Sequence, residues 1–192
     1  MDLEAEVLKE RLASYIRLRG GFPVPLAGAT YWIAVGVLGY FVGPKQWGFW
    51  AFILSGSIFP IALLYAAIFR NDFMKDKNVL GSVILPAFAG MLLFWPIAVA
   101  AWWTEVQLVP LTLAIGMSLH WPIIGWSYGR TALFTAHAVV RAIVVFLIWW
   151  LAPDARFTLL PLSVAVIYLL TVVAILIDSG AQAKKVAAVG AA

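Results

Sequence analysis

The stretch FTLLPLSVAVIYLLTVVAILI, residues 157–177, runs for 21 residues without an Asp, Glu, Lys, Arg or His. At 1.5 Å of rise per residue, it is long enough to cross about 30 Å of hydrocarbon as one α-helix. Residues 20–44, 46–69 and 78–104 are equally free of such side chains. Two further runs are nearly so: 106–129 is broken only by His120, and 131–153 only by His137 and Arg141. All six are continuous rather than alternating apolar runs, which reads as helices and not as a membrane barrel. The sequence therefore predicts an all-α integral membrane bundle of six transmembrane helices, at roughly 26–43, 47–69, 82–103, 108–129, 131–152 and 158–177.

The composition agrees. Of 192 residues, 64% are apolar and 11% charged, against roughly 45–50% and 25% in soluble domains; mean hydropathy is +0.98. A soluble domain of this size cannot hide that much apolar surface, which excludes a soluble enzyme, a nucleic-acid module and a disordered tail. With no Cys there is no disulfide framework, thiolate chemistry or Cys-ligated metal.

Residues 1–19 carry eight charged side chains and no apolar signal-peptide core. Leu8, Leu12, Tyr15 and Ile16 recur at helical spacing, predicting an amphipathic helix lying on the cytoplasmic membrane surface. Gly20, Gly21 and Pro23 end it. The transmembrane domain then covers 20–180, and an Ala-rich cytoplasmic tail covers 181–192.

Orientation follows from the basic residues. With six spans, Lys9, Arg11, Arg17, Arg19, Arg70, Lys75, Lys77, Arg130, Lys184 and Lys185 share one side, and only Lys45 and Arg156 the other. Excess Lys and Arg mark the cytoplasmic side, so both termini are expected there. Trp47, Trp50, Trp102, Trp103, Trp149 and Trp150 fall at the opposite ends of the spans, as expected of an outer aromatic belt.

Pro60, Pro96 and Pro122 lie inside spans two, three and four, where each removes a backbone hydrogen bond and kinks the helix. The carbonyls of Gly56, Leu92 and Ser118 must then find other partners, and three kinked helices could frame a cavity. GMLLFWPI (90–97) also resembles GMSLHWPI (116–123), with His120 in the place of Phe94. The pairs Gly39/Gly43 and Gly125/Gly129 are GxxxG spacings that permit close helix approach, within the bundle or between copies.

The candidate ligand- or anion-binding residues are His120, His137 and Arg141. Arg141 lies ~15 Å from the cytoplasmic end of span five and His120 ~13 Å from that of span four. His137 precedes Arg141 by four residues and shares its face. None of the nine carboxylates sits mid-span, so Arg141 needs another partner: a freed carbonyl, Asp178, a lipid phosphate or an anionic ligand. The competing reading has Arg141 snorkel to the headgroups. Two His without a mid-span carboxylate fall short of a metal's ligand count. No protease constellation or proton-pump carboxylate is present. No cofactor is expected; a pigment or haem on His120 or His137 is the alternative.

The stretch RGGFPVPLAGATYW (19–32), with LFWP (93–96) and GWSY (125–128), resembles the DUF7010 type of small bacterial multispan protein. The resemblance implies a protein of the bacterial inner membrane and assigns no catalytic residue. The function expected is non-enzymatic, acting through a membrane-protein partner, the lipid bilayer or a homo-oligomer, with no nucleic acid. The alternative is a small transporter or channel for an anionic or amphipathic solute, with its site at Arg141, His137 and His120.

Overall fold

A computed structural model describes residues 3–76 and 82–190; Lys77 and the first residues of the 78–104 run lie outside the described residues. The described residues form helices without a strand. Helix α1 spans Leu3–Arg17, α2 Pro23–Leu38, α3 Pro44–Ser55, α4 Ile58–Ile68, α5 Ile84–Leu92 and α6 Trp95–Thr104. They are followed by α7 (Val109–Gly116), α8 (Trp121–Ser127), α9 (Thr131–Leu151) and α10 (Leu159–Gly190).

Five segments among the described residues are long and apolar enough to cross a membrane: Arg19–Leu38, Ile84–Thr104, Val106–Ser127, Thr131–Leu151 and Leu159–Ala188. Helices α3 and α4 pass the same test only together, and they meet at a bend of 47°. The first span ends at Leu38 rather than near residue 43, because tight turns at Tyr40 and Phe41 already reverse the chain. The last helix runs unbroken through residues 181–190, set apart as a tail on composition alone.

The breaks in α3/α4, α5/α6 and α7/α8 have one local cause. Each lies within five residues before a proline, and short i to i+3 bonds fill it: Ser57 N–H to Leu54, Phe94 N–H to Met91 and Ser118 N–H to Ile115. Proline is well placed in the first turn that follows, where its missing N–H has no helical partner to lose. The two copies of the repeat are thus two copies of one device, a helix break followed by Trp-Pro. The Ser118 carbonyl, freed by Pro122, accepts from Trp121 N–H at 3.1 Å.

Helix α2 packs along α10 through small residues. Gly28 faces Tyr168, Gly36 faces Leu162 and Gly39 faces the Phe157 carbonyl. Trp47 is not available to an outer belt: it is fully buried, donates Nε1–H to the Val35 carbonyl at 2.7 Å, and meets Phe157 edge-on. Its early position in α3 placed it at a span end by count, but the helix turns it inward.

Helix α1 is strapped across one end of the bundle. Gly20 and Gly21, both at φ of 63°, make the reversal into α2 that residues with a Cβ rarely adopt. Tyr15 donates to the Ile175 carbonyl, and burial, then the Asp178 carboxylate, push its hydroxyl pKa up. Arg11 lies over the Trp126 ring at 4.4 Å, and Asn71 donates to the Leu18 carbonyl at 2.7 Å. Asp76 accepts from Ser14 Oγ at 2.6 Å and from Arg17 Nε at 2.8 Å. Because Arg17 is half exposed, the strap contributes about 1–2 kcal/mol, mostly through the Ser14 bond. Asp76→Ala is expected to speed amide exchange in α1 about tenfold while leaving α10 unchanged; unaltered exchange in α1 would show that the strap holds nothing.

Candidate functional site: an apolar cavity beside a buried arginine

Beneath α1 lies a cavity of about 640 Å³, within the size range of small-molecule sites. Val24, Pro25, Phe59, Phe88, Trp121 and Ile124 supply apolar wall. Ser14 and Asp76 stand at the strapped end. The side chains next to the kinking prolines, rather than the prolines themselves, form the wall: Phe59 precedes Pro60, and Trp121 precedes Pro122. Trp95, before Pro96, packs instead on Phe52 and Phe94.

Of the three candidate ligand-binding residues, only His120 lines this cavity. Its ring lies 4.4 Å from that of Phe88, and its buried Nδ1 has no partner among the described residues. His137 and Arg141 stand behind Trp121, whose indole stacks on the His137 imidazole at 3.7 Å and 15°. Trp121 therefore belongs to two compartments, as cavity wall on one side and as part of an aromatic box on the other.

Arg141 does not reach the headgroups; it is fully buried. Its Nη1 donates to the Tyr168 hydroxyl at 2.9 Å. Its guanidinium carbon lies 5.3 Å from the Trp32 ring centre and 5.1 Å from that of Tyr168. Cation–π attraction is worth up to about 2 kcal/mol per ring when desolvated, so two aromatic faces offset part of the cost of the buried charge. No acceptor among the described residues reaches Nε or Nη2. Asp178, a candidate partner from the sequence, is held in a two-point grip by Nε and Nη2 of Arg130. Arg130 thus continues the stripe of Arg141 and His137 in sequence but serves a different contact.

Hydrogen-bond accounting fixes the His137 tautomer. Thr171 Oγ1 has one proton and donates it to the Ile167 carbonyl at 2.7 Å. His137 Nδ1, 2.8 Å from that same oxygen, is then the donor. In its neutral form His137 presents Nε2 as a buried acceptor, again with no partner among the described residues.

Four members of this arrangement were missed in the sequence: Trp32, Trp121, Tyr168 and Thr171. Tyr168 and Thr171 lie three apart in the charge-free run, one helical face apart from its lipid-facing positions, and that spacing was a usable signal. Trp121 sat in the repeated Trp-Pro pair. Trp32 carried no signal beyond its apolar surroundings.

Neither the curated proteins nor the solved structures contain a match to this chain. A family model does match, over residues 7–178, and it is described as a family of unknown function. That span takes in most of the strap, every candidate membrane helix except the end of the last, the cavity and the arginine box, so the chain belongs to the DUF7010 family.

Proposed function

We propose that this is a six-span, non-enzymatic protein of a bacterial inner membrane, with both termini cytoplasmic, that works by holding an amphipathic lipid-like molecule in the cavity beneath α1. The cavity carries this reading: about 640 Å³ with apolar walls, on the side of the bundle where the basic residues gather. Apolar walls recognise chains by burial, at roughly 25 cal/mol per Å² removed from water, and the polar rim at Ser14 and Asp76 suits a polar end. The six-span count takes α3 and α4 as one broken span, and the sorting of Lys and Arg supports the orientation.

Native mass spectrometry of the protein released from nonionic detergent tests this. A retained lipid-mass adduct is expected on the wild type. Val24→Trp, which fills the cavity from its wall, is expected to lose at least about 90% of it with the fold intact. A chain that emerges bare, or an adduct that Val24→Trp leaves unchanged, would overturn the reading.

A second reading, transport of the same solute class, is favoured by one observation. Three neighbouring spans are each broken near mid-length, before Pro60, Pro96 and Pro122, and broken helices around a midplane site are a feature of transporters.

A further inference from the structure

We infer that Arg141 is the centre of a buried site for a monovalent carboxylate. Two other arginines of this chain turn one edge of the guanidinium on a carboxylate. Arg17 turns its Nε/Nη2 edge on the Asp76 carboxylate, and Arg130 turns the same edge on Asp178. At Arg130 each nitrogen takes one oxygen, the planar two-point fork that matches a carboxylate, whereas at Arg17 both reach Oδ1 because Ser14 holds Oδ2. Arg141 presents the identical edge, fully buried, with no acceptor among the described residues on either nitrogen. Its third nitrogen is fixed by Tyr168 and its faces by Trp32 and Tyr168, so the fork is held in place.

Two more donors stand in the same aromatic box with no acceptor among the described residues, the indole N–H groups of Trp32 and Trp121. Buried donors without partners cost about 1–3 kcal/mol each, and here four of them accompany one positive charge that two aromatic faces offset only in part. A ligand that supplies two acceptor oxygens and a single negative charge satisfies the fork and its charge together, and the two indoles are the free donors of the same box. Phosphate monoesters carry about −1.5 to −2 near neutrality and would leave surplus negative charge in a low-dielectric interior. A carboxylate balances the guanidinium one to one. Neutral His137, with Nε2 as an acceptor, does not hold such an anion, and its place among the donors is taken by the two indoles.

The carboxylate has two possible sources. One is the polar end of the amphiphile proposed for the neighbouring cavity, admitted past Trp121; that source rests on the function proposed above. The other is a small free carboxylate.

Titration calorimetry of the full-length protein in uncharged detergent separates them, using oleate, oleyl alcohol and acetate as probes. Oleate is expected to bind at least tenfold tighter than oleyl alcohol. Trp32→Phe keeps the ring on Arg141 but removes its N–H, and is expected to weaken oleate about tenfold and oleyl alcohol not at all. Arg141→Lys keeps the charge, removes the fork, and is expected to weaken oleate by tenfold or more. Acetate binding with the same sensitivity to both variants, while oleate binds no better than the alcohol, assigns the site to a free carboxylate and upholds it. Oleate and acetate binding that neither variant alters would overturn the site, whatever the alcohol does. Failure of oleyl alcohol alone to bind would count against the cavity reading and not against the arginine. If Arg141→Lys does not fold, Trp32→Phe decides.

Discussion

Trp121→Ala is expected to destabilise the protein by about 3–5 kcal/mol, the range for truncating a buried Trp, and to join the two compartments that its indole divides. The residue is 4% exposed and touches four neighbours that matter. It stacks on His137, meets Tyr168 edge-on at 5.5 Å, packs on Phe134 at 5.6 Å and walls the cavity beside His120. Truncation leaves a void in a place where α8, α9 and α10 converge, and nothing nearby is positioned to fill it. Trp121→Phe should behave differently. It keeps an aromatic face on His137 and most of the wall, and it removes an indole N–H that is buried without an acceptor. Relief of that unpaired donor, worth about 1–3 kcal/mol, offsets the lost ring volume, so the Phe variant is expected within about 1.5 kcal/mol of wild type. Reversible unfolding in mixed micelles, followed by far-UV circular dichroism, measures both. Equal midpoints for the Ala and Phe variants would show that the indole is not the partition described here.

The contrast between compartments explains what could and could not be read from the sequence. Helices were legible because a charge-free run of 21 residues has few other physical solutions, and the breaks were legible because proline cannot complete a helical hydrogen bond. His120, His137 and Arg141 stood out because polar groups are rare at such depth. Their grouping was not legible. Depth along a helix follows from counting, but the facing of one helix toward another depends on breaks that rotate each half-span independently. The α7/α8 break at Met117–His120 turns His120 toward Phe88 and the cavity, while unbroken α9 keeps His137 and Arg141 together on one face. What compensates Arg141 was hidden for a second reason. A search for acids finds none mid-span, whereas the compensation comes from the faces of Trp32 and Tyr168, which in a sequence look like any other apolar residues.

The same limit governs the GxxxG pair Gly39/Gly43, where two glycines alike in sequence are expected to respond with opposite sign. Gly39 has φ of −59°, which alanine adopts freely, so any penalty there is steric. A Cβ at Gly39 would collide with the Phe157 carbonyl, a backbone atom that cannot rotate away, and with Thr158 Cγ2 at 3.0 Å. Relief requires moving the chain that leads into α10, the helix α2 packs against. Gly39→Ala is expected to cost about 1–3 kcal/mol, and Gly39→Val about 3 kcal/mol, the top of the overpacking range. Gly43 sits at φ of −71° with nothing within 4 Å of its would-be Cβ. Gly43→Ala should be neutral or stabilise by about 0.4–1 kcal/mol, because it narrows the unfolded ensemble without touching a neighbour. Unfolding midpoints and chemical cross-linking of the three variants test both uses of the motif. A loss at Gly39 alone, with the oligomer distribution unchanged, places the spacing inside the bundle between α2 and the approach to α10. Parallel losses at Gly39 and Gly43, accompanied by a shift toward monomer, would instead make the two glycines a single face between copies of the chain.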